Sequence, residues 1–215
     1  MEEIEKKNNI KEIVEWILCI LIAVILALLV RHYICTPTVV EQESMYPTLK
    51  DGERLFLNRW SITIKKDLEV GDIITFQAPS VRRIDSTQYD PNNPVAIYKN
   101  EPKNIFSKFI YYVLEIGKES YIKRVIGVEG DKILIQNGEV YRNGEKLPEE
   151  YLPEGVKTER TGLFYDLTVP EGYVFAVGDN RGKSQDCREF GCIPVEKVES
   201  KVLIRFWPLN KMGKV

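Results

Sequence analysis

One uninterrupted apolar segment near the amino terminus constrains this 215-residue chain more than any other feature. Residues Ile13 to Val30 read IVEWILCILIAVILALLV, and the only charged side chain among them, Glu15, lies close to the start. A helix needs about 20 apolar residues to cross the hydrocarbon core of a bilayer. We therefore predict one membrane-spanning helix over residues 13–31, preceded by a short segment, residues 1–12.

Two other interpretations of this segment fit the sequence less well. A cleaved secretory signal peptide has a shorter apolar region and a small-x-small cleavage site, whereas RHYIC follows here. A lipoprotein site at Cys35 is disfavoured because bulky Tyr33 and Ile34 precede it.

The charges on the two sides of the span predict its orientation. Three lysines before the span against one arginine after it favour a cytoplasmic amino terminus under the positive-inside rule. The chain from about Thr36 onward is then expected outside the cytoplasm.

After the span the pattern changes to short apolar runs that are separated by turn signals such as KDG, VGD and EGD. The runs that we predict to be strands are ERLFLNRW, DIITFQA, YIKRVIGV, DKILIQ, EVYRN, YVFAVGD and SKVLIRFWPL. The stretch ILIQNGEVYRNGEKL predicts a hairpin with a tight Asn-Gly turn, followed by a second turn. Residues 36–215 are therefore expected to form a mainly β domain.

One stretch, at about residues 78–120, departs from this pattern. It begins with the polar SVRRIDSTQYDPNNP and becomes NIFSKFIYYVLEIG, which predicts a short helix or a strand. The simplest interpretation is a surface insertion with a small core of its own. The alternative is an aromatic surface resting on the membrane, formed by Phe106, Phe109, Tyr111 and Tyr112.

Charge and cysteine spacing exclude two broad functions. The net charge of −2, with both signs abundant, gives no basic patch for nucleic-acid binding. The cysteines at 19, 35, 187 and 192 lack the paired spacing of a zinc site.

A lone serine, Ser44, lies in the loop VEQESMYPTL, and a serine hydroxyl needs a neighbouring base to become a nucleophile. The one histidine, His32, lies at the membrane boundary, which would have to fold back to reach Ser44. Lysine can serve when burial favours its neutral form. Lys123 in YIKRVIG is the candidate, because Arg124 on the opposite face of that strand cannot lose its proton. A solvated lysine on an edge strand is the alternative.

A third stretch of interest, residues 177–191, reads VGDNRGKSQDCREFG and follows the strand-like YVFAV. Ser184 offers a hydroxyl that could orient a lysine, and Asp186 with Arg188 could brace the loop by an ion pair. By itself the stretch also fits an ordinary loop with local side-chain hydrogen bonds.

Together these segments resemble the bacterial type I signal peptidases, also called leader peptidases. The similarity covers most of the chain: an N-terminal span, then SMYPTL, GERLFLNR, VGDIITF, IKRVIGVEGD and VPEGYVFAVGDNRGKSQDCREFG in family order. It implies an antiparallel β catalytic domain and a membrane-anchored serine endopeptidase that removes signal peptides from exported preproteins without a cofactor or metal. The implied partners are signal peptides and the lipid bilayer, with the secretion translocon as a further candidate.

The resemblance assigns roles to matching positions only. Ser44 aligns with the nucleophile, Lys123 with the general base, and Ser184 with the hydroxyl that orients the lysine. Met45 has the residue type that the family places beside the nucleophile. The polar residues that match those around the family's site are Arg124, Asp179, Asp186 and Arg188.

The chain departs from the family pattern at two positions. Gln42 stands two residues before Ser44, where many members have a serine that helps bind the oxyanion. Its amide can donate too, but it is longer, and a solvent-facing Gln42 is the alternative. Cys187 stands where a serine is common, and with Cys192 nearby both a disulfide and two free thiols fit the sequence.

Two rival classes share parts of this pattern. A self-cleaving repressor-type protease uses the same Ser and Lys chemistry, but it has a DNA-binding helix pair where this chain has an apolar span. An inactive anchored β-module that only binds exported chains fits all the features above.

Overall fold

The computed structural model describes residues 2–64, 66–99 and 102–215, and side chains from Lys11 onward within those ranges. Helix α1 (Glu2–Tyr33) contains a segment, Lys11–Tyr33, whose most apolar stretch has a mean hydropathy of 3.1 and is not covered by the rest of the chain. Within the described ranges it is the one helix long and apolar enough to cross a membrane. Its position agrees with the span predicted at residues 13–31.

The remainder of the chain is built mainly from two antiparallel sheets. In spatial order the seven-stranded sheet contains β1 (Cys35–Val39), β2 (Arg54–Asn58), β11 (Val198–Trp207), β3 (Ile73–Gln77), β4 (Ser120–Val128), β9 (Tyr173–Val177) and β10 (Ile193–Pro194). The four-stranded sheet contains β7 (Glu145–Lys146), β6 (Glu139–Arg142), β5 (Lys132–Gln136) and β8 (Asp166–Thr168). All strand pairs in both sheets are antiparallel, which confirms the predicted fold class.

All seven predicted runs form strands, and the Asn-Gly hairpin joins β5 to β6 as expected. Asn137 and Gly138 both have positive φ, of 54° and 81°, as a tight hairpin turn requires. Strand β1 is not anticipated by the sequence because Pro37 interrupts a short run. It forms because it pairs with β2 on one side only, and proline is tolerated on an edge strand.

Irregular pairing bends the large sheet. Strand β11 shifts register between Val202 and Ile204 against β2, and again between Arg205 and Trp207. Such bulges increase local twist and curl a sheet. Consequently β1 and the start of β4 line the same cleft, although β2, β11 and β3 lie between them in the sheet order.

Two apolar cores hold these elements together. The larger core contains Phe76, Val125 and Phe175 from the large sheet and Ile133 and Ile135 from the small one. A Cβ at Gly127 would lie 2.7 Å from Cδ1 of Ile133, so glycine at this position of β4 allows the two sheets to pack closely. The smaller core lies under the Ser44 loop and consists of Val40, Met45, Leu49, Leu55, Leu57 and Ile73.

The first half of the insertion belongs to the main domain, so the expectation of a separate small core is wrong. Ile84 and Ala96 are buried in the larger core. Their backbone N–H groups donate to the carbonyl oxygens of Glu189 and Cys192, at 2.9 and 2.8 Å.

The second half of the insertion is helical. Helix α3 (Ile105–Lys108) continues into a π-helical turn, Phe109–Val113. Two further short α-helices in the described ranges are α2 (Trp60–Thr63) and α4 (Cys187–Phe190).

Candidate active site

Ser44 lies in a short 3₁₀ turn, Glu43–Met45, shortly after strand β1. Met45 and Leu49 are fully buried in the smaller core, which fixes the turn from below. Ser44 itself is buried beside the cleft, with 6% of its surface exposed. Because it is buried there, its hydroxyl can contact only neighbouring protein groups or a molecule bound in the cleft.

The partner is Lys123. The alternative of a solvated edge-strand lysine is wrong because Lys123 is buried, although β4 pairs with β9 only from Arg124 onward. The Lys123 side chain is 1% exposed, and its Nζ lies 2.8 Å from Oγ of Ser44 and 2.9 Å from the carbonyl oxygen of Ile122. His32 packs edge-on against Tyr33 at the end of α1.

Burial lowers the pKa of Lys123 to about 8 from its ordinary value of 10.5, and the carboxylate of Asp186 opposes that shift only in part. Lys123 forms no salt bridge with any residue that the structure describes. At mildly alkaline pH a substantial fraction of this amine is therefore neutral and able to accept a proton.

The other face of β4 carries a paired cation. Arg124 donates from Nε to Oδ1 of Asp179 at 3.0 Å and from Nη2 to Oδ2 at 2.8 Å. Its Nη1 donates to the carbonyl oxygen of Gly71 at 3.0 Å. The hydroxyl of Thr48 also donates to Oδ2 of Asp179, at 2.5 Å, which connects this ion pair to the Ser44 loop.

The loop after β9 is hydrogen-bonded to the Ser44 turn. The backbone N–H of Asn180 donates to the carbonyl oxygen of Ser44 at 3.0 Å, and its side-chain amide donates to that of Glu43 at 3.0 Å. A Cβ at Gly178 would lie 2.5 Å from the Ser44 carbonyl oxygen, so only glycine allows this approach. Sequence reasoning missed both positions; the turn signal VGDN was the available hint.

Asp186 and Arg188 form the expected brace. Arg188 donates to Asp186 from Nε at 2.8 Å and from Nη2 at 2.9 Å, and the N–H of Gly178 donates to Oδ2 of Asp186 at 3.1 Å. Burial by itself raises the pKa of the Asp186 carboxyl, but the hydrogen bonds and charge of Arg188 lower it below its ordinary value. This buried pair fixes the conformation of the loop.

Ser184 lies near the site, but it is not bonded to Lys123. Its Oγ is buried and makes no hydrogen bond of ordinary geometry within the described residues. It does lie close enough to Asp186 to help stabilise that carboxylate. The expected orienting bond is not formed in this structure, because the Lys123 ammonium is directed to Ser44 and Ile122.

Arg181 is a further site residue that the sequence reasoning did not identify. It is 2% exposed and binds Glu149 through two hydrogen bonds, of 3.0 and 2.5 Å. Tyr151 in the same segment places its ring 4.0 Å from the guanidinium carbon of Arg124. The contacts of Arg181 join the segment after β7 to the loop after β9 over about 30 residues of chain, and no local pattern predicts them.

A cleft with a volume of about 720 Å³ opens beside this pair. Its walls include β1, Gln42, Tyr121 and Ile122. Strand β1 pairs with β2 only, and β4 pairs with β9 only from Arg124 onward. The cleft is thus bordered by two strand edges that, within the described residues, have no further strand beside them.

Gln42 lies on the wall of the cleft and is exposed. Its backbone is extended, with φ −142° and ψ 155°, and its side chain does not cap the 3₁₀ turn. This placement leaves the amide available to a bound molecule and equally to solvent.

Cys187 and Cys192 are free thiols and both are buried, so the disulfide is not formed. The N–H of Ala176 donates to Sγ of Cys187 at 3.1 Å, and burial raises the pKa of both thiols. They act as small core side chains. In the described ranges, no group of three or more His, Cys, Asp or Glu residues could hold a metal ion.

Comparison with known proteins identifies the family of this chain. The family "Signal peptidase, peptidase S26" matches residues 13–207. A signal peptidase IB from Staphylococcus aureus is 34% identical over 94% of this chain and 93% of its own length. A signal peptidase I from Bacillus licheniformis is 33% identical over 100% of this chain and 99% of its own. A crystal structure of a signal peptidase I from Enterococcus faecalis has 26% identity and a TM-score of 0.40, covering 64% of this chain and 97% of that one.

The family match and the two relatives define a serine peptidase, and its domain beyond the apolar helix is mainly β. The chain belongs to the signal peptidase family, peptidase S26.

Proposed function

We propose that this protein is a membrane-anchored serine endopeptidase that cleaves signal peptides from exported preproteins with a Ser44 and Lys123 dyad. The observation that carries this proposal is the 2.8 Å contact between Oγ of Ser44 and the buried Nζ of Lys123, which forms no salt bridge within the described part of the chain. Relatives named as signal peptidases over nearly the whole chain supply the substrate class.

The dyad works by moving one proton. Neutral Lys123 takes the proton of Ser44 as Oγ attacks the carbonyl carbon after the last residue of the signal peptide. The resulting ammonium then protonates the leaving amine, which releases the mature chain and leaves an acyl-enzyme. Lys123, neutral again, takes a proton from the water that hydrolyses the ester, and Ser44 is regenerated.

The negative oxygen of the tetrahedral intermediate needs donors that are already in place. The backbone N–H of Ser44 lies in the first turn of a helix, where N–H groups lack intrahelical partners. Gln42, two residues earlier on the cleft wall, is the second candidate donor.

The substrate is expected to bind as an added β-strand. The free edges of β1 and of the first residues of β4 border the cleft and lead to Ser44. Main-chain pairing of this kind requires little sequence specificity, so many exported chains can share one site. Small residues at the first and third positions before the cut are expected on the family resemblance.

Helix α1 anchors the enzyme at the outer surface of the cell membrane. Three lysines before the span and one arginine after it favour a cytoplasmic amino terminus, and residues 36–215 then form the extracytoplasmic catalytic domain. Ser44 lies 11 residues after Tyr33, the last residue of α1, so the dyad stays near the point where a signal peptide emerges from the bilayer.

The test is cleavage of a preprotein by the full chain in lipid vesicles, with the cut located by mass spectrometry. We expect one cut at the signal peptide boundary with the parent protein and none with Ser44→Ala. Ser61→Ala is the matched control, since Ser61 is also buried (6% exposed) but bonds only within its own turn. Cleavage by Ser44→Ala at the parental rate would contradict the proposal.

A further inference from the structure

The second half of the insertion exposes an apolar surface that the catalytic mechanism does not use. We call residues Ile105–Ile116 the insertion helix segment; within it Ile105 is 89% exposed, Phe106 74% and Phe109 44%. Ile116 at its end is 63% exposed. Positions 105, 106 and 109 are spaced as neighbours on one helix face, so the exposed side chains form a continuous stripe. A soluble surface rarely carries such a stripe without a partner.

The segment is tied directly to the outer end of α1. Glu115 accepts a hydrogen bond from Nη2 of Arg31, the last-turn arginine of α1, at 2.8 Å, and also binds Arg59. Burial by itself raises the pKa of Glu115, but these two arginines lower it below its ordinary value. The carboxylate therefore stays charged and holds the segment beside the point where the apolar helix ends.

Other apolar side chains surround the same helix end. The hydroxyl of Thr63 donates to the carbonyl oxygen of Tyr33 at 3.3 Å, which places α2 against the end of α1. Trp60 and Ile64, at the two ends of α2, are 52% and 53% exposed. Tryptophan and tyrosine at the end of a membrane span are typical of the headgroup region.

We infer that the insertion helix segment lies in the headgroup region of the bilayer, as a second membrane contact beside α1. This inference rests on the proposed anchoring by α1. With α1 across the bilayer, the side chains bound to its outer end lie at the membrane surface. Lys103 and Lys108 flank the stripe and are exposed, which fits anionic lipid headgroups.

The contact would fix the orientation of the cleft. Leu114 and Glu115, at the end of the segment, and Lys118, two residues beyond it, form part of the cleft wall. A segment held in the headgroup region therefore keeps the cleft close to the membrane surface, where a membrane-inserted substrate leaves the bilayer. A domain tethered by α1 alone would be free to rotate.

The test is photo-crosslinking of the full chain in vesicles of phosphatidylcholine and phosphatidylglycerol that contain a tagged phospholipid. The photoreactive residue p-benzoylphenylalanine replaces Phe106 in one protein, Asn92 in a second and Leu21 in a third. Asn92 is the matched control, because it is an exposed polar position of the same insertion. Leu21 lies within α1 and reports the anchor.

We expect lipid adducts at 106 in a yield comparable to that at 21 and at least severalfold above that at 92. A yield at 106 no higher than at 92 overturns the inference, and so does crosslinking at 106 to a second copy of the chain. Absence of adducts at 21 overturns both the anchor and this surface. Cleavage of a short soluble peptide in the same vesicles reports the peptidase separately.

The salt bridges of Glu115 with Arg31 and Arg59, which hold the segment beside α1, are tested separately in the protein that carries the photoreactive residue at 106. Glu115→Gln should lower the lipid adduct yield severalfold, because it weakens the bonds to Arg31 and Arg59. Glu119→Gln, which removes only the exposed pair with Arg82, should leave the yield unchanged. Equal yields in the two variants would show that Glu115 does not position the segment.

Discussion

The two faces of strand β4 bury two neighbouring cations in opposite ways. Lys123 faces the Ser44 side, where its Nζ contacts a hydroxyl and a carbonyl oxygen but, among the residues that the structure describes, no carboxylate at salt-bridge distance. Arg124 faces the other side, where a fork of hydrogen bonds to Asp179 neutralises it. An unpaired buried cation tends to lose its proton, whereas a paired one becomes a fixed part of the structure. The difference teaches that a buried lysine without a carboxylate partner becomes able to exchange a proton, whereas a paired arginine serves the structure.

Exchanging the two cation types gives the largest expected effect. Lys123→Arg should lower kcat by about 10⁶-fold, the scale for a residue that acts as a unit with a serine nucleophile, because arginine stays protonated. Arg124→Lys should keep measurable activity, because a lysine still pairs with Asp179 although it loses the fork geometry. Single-turnover cleavage of one peptide measures both. An active Lys123→Arg enzyme would remove lysine as the base.

Stability should change in opposite directions when each cation is replaced by methionine. Arg124→Met leaves Asp179 buried without its partner and should lower the free energy of unfolding by roughly 3–5 kcal/mol. Lys123→Met removes an uncompensated buried amine. The difference between the ordinary Lys123 pKa of 10.5 and its value of about 8 in the folded protein corresponds to roughly 3 kcal/mol. This variant should therefore be as stable as the parent at pH 7, or more stable by up to that amount.

The direction in which pH changes the contribution of Lys123 to stability follows from the linkage between proton binding and folding. Its folded pKa lies below its unfolded pKa, so between about pH 8 and 10.5 the unfolded chain binds more protons and stability rises with pH. Below pH 8 the folded state carries the full cost of the buried charge. Thermal unfolding of the three full-length proteins in detergent, followed by tryptophan fluorescence at pH 7, makes the comparison. Equal destabilisation by both methionine variants would show that Lys123 is a structural cation.

Substitutions of Gln42 test whether the cleft on the Lys123 side of β4 also contains a side-chain donor to the oxyanion. If its amide binds the oxyanion, Gln42→Ala should lower kcat by roughly 10²- to 10³-fold with little change in KM, because the bond strengthens only in the transition state. Gln42→Ser should recover part of the loss, and Gln42→Glu should be worse than alanine. Steady-state kinetics within a few-fold of the parent for all three would make Gln42 a solvent-facing residue.

The pH dependence of the parent enzyme gives the smallest effect. The neutral fraction of Lys123 falls about tenfold per pH unit below its pKa of about 8. We therefore expect kcat/KM to rise with pH through about 8, and at pH 6 to be roughly 10²-fold below its alkaline plateau. A profile that is flat from pH 6 to 9 would mean that proton transfer to Lys123 does not limit the rate.

Much of the site could be identified from residue types, and the rest depended on contacts between distant segments. Ser44 and Lys123 stood out because one needs a base and the other is the one titratable cation in its apolar strand. Asn180 and Gly178 did not, because their role is to contact a carbonyl oxygen more than 130 residues away. Ser184 matched a motif, yet its hydroxyl makes no hydrogen bond to Lys123 and lies near the Asp186 carboxylate instead.

The sequence by itself determined the apolar span, the strand content and the hairpin turn, because hydrophobic periodicity and turn chemistry are local properties. It also put one cation on each face of β4. Only the tertiary structure decided which of these cations is paired. The curled sheet brings the Ser44 loop against one face, and the loop after β9 delivers Asp179 to the other. Burial and charge pairing are set by neighbours that are distant in the chain, so no local pattern could assign them.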